Sequence, residues 1–171
     1  MLEFASIFDV VSWGKFAELR PDLAEAGAAL LYQHGVRLGF MSTIREDTGP
    51  RVHPMCPLLT HDGVFAFIIP SPKQDDLSRD GRYAIHSFPC PENEDAFYFT
   101  GTAQRVEDEG VRQALGDQFV NERLQFGVAF PPTEDVLFGF DIEGCLLTKT
   151  TGHGDPNPQH MVWRAGRHSL P

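Results

Sequence analysis

Apolar residues recur at helical spacing near the start of the chain and alternate with polar residues over much of the rest. Ser12 followed by WGKFAEL has the pattern of a capped helical turn, and Pro21 opens a second helix that ends at Gly35. Beyond Gly35, six segments with extended periodicity are bounded by turn residues and predict strands. They are residues 36–44, 51–59, 64–70, 82–89, 96–107 and 135–150. Short strands joined by tight turns predict an antiparallel barrel.

Two amphipathic segments between these strands predict helices, one over residues 72–79 and one over residues 108–124. The last strand segment is compatible with one long strand or with two strands joined at Gly144. No internal repeat, low-complexity segment or linker divides the chain, so the sequence predicts a single domain over residues 1–171. Its parts are the N-terminal helices in 1–35, the barrel with its inserted helices in 36–150 and a tail in 151–171.

The composition is that of a folded, acidic protein. Of the 171 residues, 42% are hydrophobic and 22% are charged, which suits one globular domain of ordinary size. Lys and Arg number 14 against 24 Asp and Glu, so the formal net charge is −10. Non-specific nucleic-acid binding requires a basic face that neutralises phosphates, and this charge balance disfavours that class. Local basic pockets remain compatible with it.

Cysteine spacing and the N-terminus indicate the compartment. Cys56, Cys90 and Cys145 are odd in number, far apart and outside any Cys-x-x-Cys pair, which argues against a disulfide framework and against structural zinc. We predict buried free thiols in a reducing compartment. The N-terminus lacks the basic start of a signal peptide, and no apolar run approaches the ~20 residues that span a bilayer. The sequence therefore predicts a cytoplasmic protein without a metal site.

The segment SPKQDDLSR, directly after the apolar run VFAFIIP, is the main candidate for binding chemistry. Ser71 stands at an N-cap position, Pro72 at the first helical position and Asp75 in the first turn, which are ordinary signals of a helix start. On that interpretation Lys73 is a solvated charge. On the alternative, the free N–H groups of the helix start, the Ser71 hydroxyl and the Lys73 ammonium together bind an anion such as a phosphate.

Further basic side chains are candidates for the same anion. Neighbouring strands lie about 5 Å apart, so Arg51 or His53 on the preceding strand is within reach of the helix start. Arg79 or Arg82, after the helix, is a second source of positive charge. Both interpretations of the helix start stay open at this level.

The order of these segments resembles a known family. The stretches MSTIREDTGPRVHPM, HDGVFAFIIPSPKQDDLSRDGRYAIHS and DAFYFTGTAQRV follow one another as in the pyridoxamine phosphate oxidase-like superfamily, the FMN-binding split β-barrel proteins. The match covers residues 38–107, and the N-terminal helices and the tail fit more loosely. The resemblance implies a mainly β fold with flanking helices, built on a six-stranded antiparallel split β-barrel. It also implies FMN as the cofactor.

The resemblance assigns a cofactor site residue by residue. In the family, the FMN phosphate is held by a basic residue on the second strand and by a Ser-x-Lys at the following helix start. These positions are His53, with Arg51 as its neighbour, and Ser71 with Lys73; the family often has arginine where this chain has His53. The flavin ring lies against the second and third strands. The expected wall of the ring is formed by Met55, Pro57, Ile68 and Ile69.

Members of the family are usually homodimers with a flavin at each subunit interface. The resemblance therefore implies that a second copy contributes residues from the later strands or the tail. Trp163 and Arg164 are the candidates, because tryptophan suits ring stacking and arginine suits contact with an anion. The alternative for Trp163 is a tail residue anchored in the core.

The function that the resemblance implies is a flavin-dependent oxidoreductase that binds FMN at a dimer interface and acts on an unidentified small organic substrate. No side chain is assigned as catalytic, since the flavin carries the redox chemistry. One alternative is a reductase that uses the deazaflavin coenzyme F-420, whose longer acidic tail would need Arg79, Arg82 and Arg105. The other is a non-catalytic flavin- or haem-binding protein. No nucleic-acid or membrane partner is expected.

Overall fold

The computed structural model describes residues 9–47 and 49–166. Within them the chain forms four α-helices and eight strands, and one turn of 3-10 helix follows the last α-helix. In chain order the elements are α1 Trp13–Leu19, α2 Pro21–Tyr32, β1 Gly39–Ile44, β2 Pro50–Met55, β3 Leu58–Leu59, β4 Val64–Ile68, α3 Pro72–Arg79, β5 Arg82–Ser87, β6 Ala96–Arg105, α4 Glu109–Arg123, β7 Val136–Lys149 and β8 Gln159–Arg164.

The described strands form one antiparallel sheet in the order β2-β1-β5-β6-β7-β4-β3, with β8 paired to β7. The sheet curls into a half-barrel, which confirms the predicted mainly β architecture with flanking helices. Eight strands replace the predicted six for two reasons. Residues 159–164 of the tail pair with β7 as a strand, and the predicted strand 51–59 is broken into β2 and β3.

The break between β2 and β3 lies at Cys56 and Pro57. Proline has no N–H for a strand ladder, and β2, which itself contains Pro50 and Pro54, is at the edge of the sheet. The long segment near the C-terminus behaves differently. It forms one continuous strand, β7, and not two strands joined at Gly144.

The core lies between the inner face of the sheet and helices α1 and α2. Phe16, Phe97 and Phe99 are fully buried there, and the rings of Phe97 and Phe99 are 5.5 Å apart. Helix α2 approaches the sheet closely at Gly27, where an added Cβ would lie 2.6 Å from the Phe97 ring. This contact explains a glycine inside a helix in spite of its poor helix propensity. A smaller cluster of Leu58, Leu115 and Leu137 lies beneath α4.

Helix α3 begins at Pro72 and ends at Arg79, as the sequence predicted. The chain reverses after it at Gly81, which has φ of 75°. A side chain is excluded there on two grounds, since positive φ is strained for other residues and an added Cβ would lie 2.9 Å from the carbonyl oxygen of Ala103. The short helix is therefore held between β4 and β5 with both ends at defined positions.

The three thiols differ in burial. Cys145 is buried, and burial raises the pKa of its thiol to about 12. Cys90 is half-buried, whereas Cys56 in the β2–β3 break is exposed, so the prediction that all three are buried is wrong for Cys56. In residues 9–47 and 49–166, no helix has the length and apolar composition needed to span a bilayer.

Candidate functional site

The inner face of β2 carries the basic residues that the sequence singled out. Alternation along the strand directs Arg51, His53 and Met55 to one face, on which Met55 is only 5% exposed. On the neighbouring strand β1, Thr43 is opposite Arg51 and Met41 is opposite His53. An arginine, a histidine and a buried methionine thus lie side by side on this face.

Helix α3 packs against this face through Asp76, which is 3% exposed. The Thr43 hydroxyl donates to Oδ2 of Asp76 at 2.9 Å, Nε of Arg51 donates to the same oxygen at 2.8 Å, and Nη1 of Arg79 donates to Oδ1 at 3.3 Å. Burial acts to raise the pKa of Asp76, but the hydrogen bonds from Arg51 and Thr43 and the charge of Arg51 outweigh it, so this pKa is lowered. Asp76 therefore anchors the helix as a carboxylate.

This anchor changes the expected role of Arg51. Its Nε is engaged by Asp76, and its side chain is 30% exposed. Part of its charge is therefore already compensated before any ligand arrives. Arg79, the other arginine of the cluster, also donates to the carbonyl oxygen of Ile44.

Ser71, at the start of α3, has the backbone conformation of an N-cap residue, but its side chain makes no capping hydrogen bond. Ser71 is extended, with φ of −172° and ψ of 160°, but its hydroxyl donates to the carbonyl oxygen of Ile69 at 2.8 Å and does not cap the helix. The N–H groups of Gln74 and Asp75 donate to the Ser71 carbonyl. Helix geometry leaves the N–H of Lys73, at the second helical position, without an intrahelical partner.

Lys73 is half-buried beside this helix start. Burial lowers the pKa of its ammonium, while Cys56 and Asp135 act in the opposite direction. No carboxylate of residues 9–47 and 49–166 lies within ion-pair distance of it. Among the described residues, its charge is thus only loosely balanced.

His53 is the second group with an unmet polar atom. Its Nε2 is buried, and no hydrogen-bond partner for it exists in the described part of the chain. Burial lowers the pKa of His53, the positive charges of Lys73 and Arg51 lower it further, and Asp76 opposes them. These mutual effects place His53, Lys73 and Arg51 in one electrostatic neighbourhood.

The residues present fit an anion at this position. A helix start, an ammonium without an ion pair and an imidazole nitrogen without a partner are groups that a phosphate satisfies. Ile69, 58% exposed between β4 and α3, and the buried Met55 supply apolar surface beside them. The neighbouring cavity of about 340 Å³ is a different space, because its lining includes Arg51 and Pro72 together with four acidic residues, and not His53, Ser71 or Lys73.

Trp163 and Arg164 lie on β8, away from this cluster within one chain. The Trp163 ring is half-buried with its centroid 5.0 Å from that of Phe16, and Arg164 is exposed with Nη1 3.9 Å from Glu143. Both line a different cavity of about 460 Å³. The contact with Phe16 agrees with the interpretation of Trp163 as a residue anchored in the core.

Two residues of the site were missed by sequence reasoning. Asp76 was assigned no role in the site, although its position three residues after Lys73 puts both on one side of α3. Asp135 stands directly before β7, and the pairing of Val136 with Ile68 brings it to the end of β4. Burial raises the pKa of Asp135, while Arg112 and Lys73 lower it in part. No local signal connects it to a helix start so distant in the chain.

Comparison with solved structures bears on the fold. A candidate pyridoxamine 5′-phosphate oxidase from Listeria innocua is 18% identical, with a TM-score of 0.55 over 70% of this chain and 93% of its own. A protein from Clostridium acetobutylicum related to general stress protein 26, of the pyridoxinephosphate oxidase family, is 12% identical, with a TM-score of 0.58 over 89% and 96% of the two chains. The fold is that of the pyridoxamine 5′-phosphate oxidase-like split barrel.

The same split barrel also occurs in haem proteins. The haem storage protein HutZ of Vibrio cholerae is 17% identical, with a TM-score of 0.53 over 73% of this chain and 90% of its own. At these identities the similarity concerns the split barrel alone. No protein-family model and no curated protein matches the sequence.

Proposed function

We propose that this split barrel binds FMN, with the phosphate at the start of α3, and serves as a flavin-dependent oxidoreductase for a small organic substrate. The observation that carries the proposal is the pair of unmet groups, the Lys73 ammonium and the buried Nε2 of His53, beside a helix start. The Ser71 hydroxyl and the outer nitrogens of Arg51 complete the donor set.

The chain's own residues bind and orient the cofactor in this proposal. Lys73 holds the phosphate by charge-assisted hydrogen bonds. The Ser71 hydroxyl joins it by turning away from the Ile69 carbonyl, to which it donates in the structure. Met55 and Ile69 present apolar surface to the ring and exclude water from one side of it. Bound FMN supplies hydride and electron transfer, so none of these side chains needs to act as an acid or a base.

A second copy of the chain is part of the proposal. Trp163 and Arg164 line a cavity on β8 that the phosphate cluster of the same chain does not share. In a homodimer, this surface would form the opposite wall of the partner's flavin. The exposed Arg164 is available for such a contact, whereas Trp163 is partly committed to Phe16.

The arginines expected for a deazaflavin tail are engaged within the chain. Arg79 binds Asp76, Arg82 binds Asp80 with 2.6 Å from Nε to Oδ1, and Arg105 donates to Ser78. These contacts favour FMN over coenzyme F-420. The similarity to HutZ makes non-catalytic haem binding the second candidate function.

Parallel titrations with FMN, riboflavin and hemin test the proposal. We expect saturable quenching of FMN fluorescence and binding of riboflavin weaker by at least about tenfold, because each charge-assisted bond to a phosphate contributes roughly 1.5–3 kcal/mol. Oxidation of a reduced nicotinamide by the FMN-loaded protein, and the mass in solution, test the oxidoreductase and the dimer. A Soret band with hemin and unchanged FMN fluorescence would favour the second candidate and reject the first.

A further inference from the structure

His53 differs from the other basic groups of the cluster because its charge depends on pH. It shares one face of β2 with Arg51, and the positive charges of Arg51 and of Lys73 on α3 both act on it. Its strand neighbour on β1 is Met41, which carries no charge. The carboxylate whose charge acts on it is Asp76 of α3, which already accepts hydrogen bonds from Thr43 and Arg51.

The surroundings favour neutral His53 in the free protein. A buried imidazole nitrogen without a hydrogen-bond partner is unfavourable, and a third positive charge beside the two cations is more so. Burial, followed by the charges of Lys73 and Arg51, lowers the pKa of His53 below its ordinary value of 6.5. At neutral pH the imidazole is therefore mainly uncharged.

We propose that His53 takes up a proton from solvent when a dianionic phosphate binds beside Lys73, and so couples FMN affinity to pH. This inference rests on the proposed function. Two negative charges at the helix start reverse the local repulsion, because an anion nearby stabilises imidazolium as strongly as the cations destabilised it. The coupling acts through charge and does not require a hydrogen bond between His53 and the phosphate. A permanently charged arginine at this position would bind the same phosphate without taking up a proton.

The sign of the pH dependence follows from linkage. Since the complex holds its proton more tightly than the free protein, affinity rises as pH falls through the pKa of His53 in the complex. The rise ends at the lower pKa of the free protein. Each unit by which the phosphate raises this pKa gives about tenfold in affinity. The window from about pH 8.5 to 6.5 is the useful one, because a phosphate monoester loses its second charge near pH 6.

The experiment measures dissociation constants of FMN and of riboflavin across this window for the wild type, His53→Gln and His53→Arg. Calorimetry in buffers of different ionisation enthalpy counts the protons taken up. The matched control is His61→Gln, which changes an exposed histidine that pairs with Asp62 outside the cluster. Lys73 also titrates towards high pH, and because it is present in every variant, the difference between variants isolates His53.

We expect FMN to bind the wild type and His61→Gln about tenfold more tightly at pH 6.5 than at 8.5, with uptake of a fraction of a proton. His53→Gln and His53→Arg should each vary less than about twofold beyond the riboflavin baseline, and His53→Arg should bind FMN tightly throughout. Equal slopes and equal proton uptake in wild type and His53→Gln overturn the inference and leave FMN binding intact. Absence of FMN binding at every pH rejects the proposed function and this inference together.

Discussion

Two helices of this protein start with the same local signals and end up with different tasks. Helix α1 follows Ser12 and has Lys15 in its first turn, and helix α3 follows Ser71 and has Lys73 in its first turn. Ser12 caps its helix, accepting from the N–H of Lys15 at 3.2 Å, and Lys15 pairs with Glu18 at 2.8 Å in solvent. At α3 the serine does not cap and the lysine is half-buried without an ion pair in the described residues.

The difference shows which polar groups are satisfied within the fold and which remain available to a ligand. The groups at the start of α1 satisfy one another, so nothing remains there for a ligand. Helix α3 is held instead by Asp76 on its buried side, which relieves its first turn of a structural role. Ligand binding by Ser71 and Lys73 then requires little loss of folding stability.

Replacement of Asp76 by alanine is expected to have the largest effect. It would leave Arg51 and Thr43 without their buried acceptor, which costs about 3–5 kcal/mol in the free energy of unfolding. Urea unfolding measures this, and Asp75→Ala, on the exposed side of the same helix, is the control with an expected cost under about 0.5 kcal/mol. If Asp76→Ala loses no more than its control, α3 is held by something other than this carboxylate.

Lowering the pH should weaken the same contacts of Asp76, because it protonates the carboxylate. The pKa of Asp76 is lowered in the folded protein, because its hydrogen bonds from Arg51 and Thr43 outweigh the effect of burial. Its contribution to stability is therefore present above the unfolded pKa of about 3.9 and is lost as pH falls through the folded value. The unfolding free energy of the wild type should fall more steeply below about pH 4 than that of Asp76→Asn. Parallel curves for the two proteins would contradict the assignment.

The double replacement of Ser71 and Lys73 by alanine sharpens the contrast between binding and folding. We expect FMN affinity to fall by about 2–4 kcal/mol, since charge-assisted bonds to the phosphate are lost. The matched variant, Ser12→Ala with Lys15→Ala, should leave FMN affinity unchanged in the same fluorescence titration. Equal FMN affinity in both variants would show that the phosphate binds elsewhere.

The smallest expected effects concern the two serines alone. Ser12→Ala removes a side-chain cap and should cost about 1 kcal/mol of unfolding free energy. Ser71→Ala removes only the bond to the Ile69 carbonyl and should cost about half of that or less. Denaturant unfolding of the two variants compares them directly, and a larger loss for Ser71→Ala would reverse the comparison.

Much of the fold was predictable because its signals are local. The bounds of α3, the Ser12 cap of α1 and the antiparallel strands follow from proline, glycine and the period of apolar residues. The tail strand β8 was missed because its partner, β7, supplies the edge that makes residues 159–164 extended. Propensity in so short a segment says little without that edge.

The candidate site was also predictable only where its signals are local in the sequence. Sequence order placed Arg51 and His53 on one strand, and Ser71 and Lys73 at the next helix start along the chain. Only the folded chain brings Asp76 into contact with Arg51 and Thr43, and thereby removes part of the charge that was expected to meet a phosphate. The same packing buries Nε2 of His53 without a partner.

By itself the sequence determined an acidic charge balance, a mainly β antiparallel architecture and a serine-lysine helix start. Period, turn residues and charge are properties of neighbouring positions, and they need no long-range contact to be read. Which serine caps, which lysine pairs and which histidine nitrogen is buried without a partner were decided by the tertiary structure. The physical reason is that solvation and partner charges, which set the state of every polar group, come from residues distant in the chain.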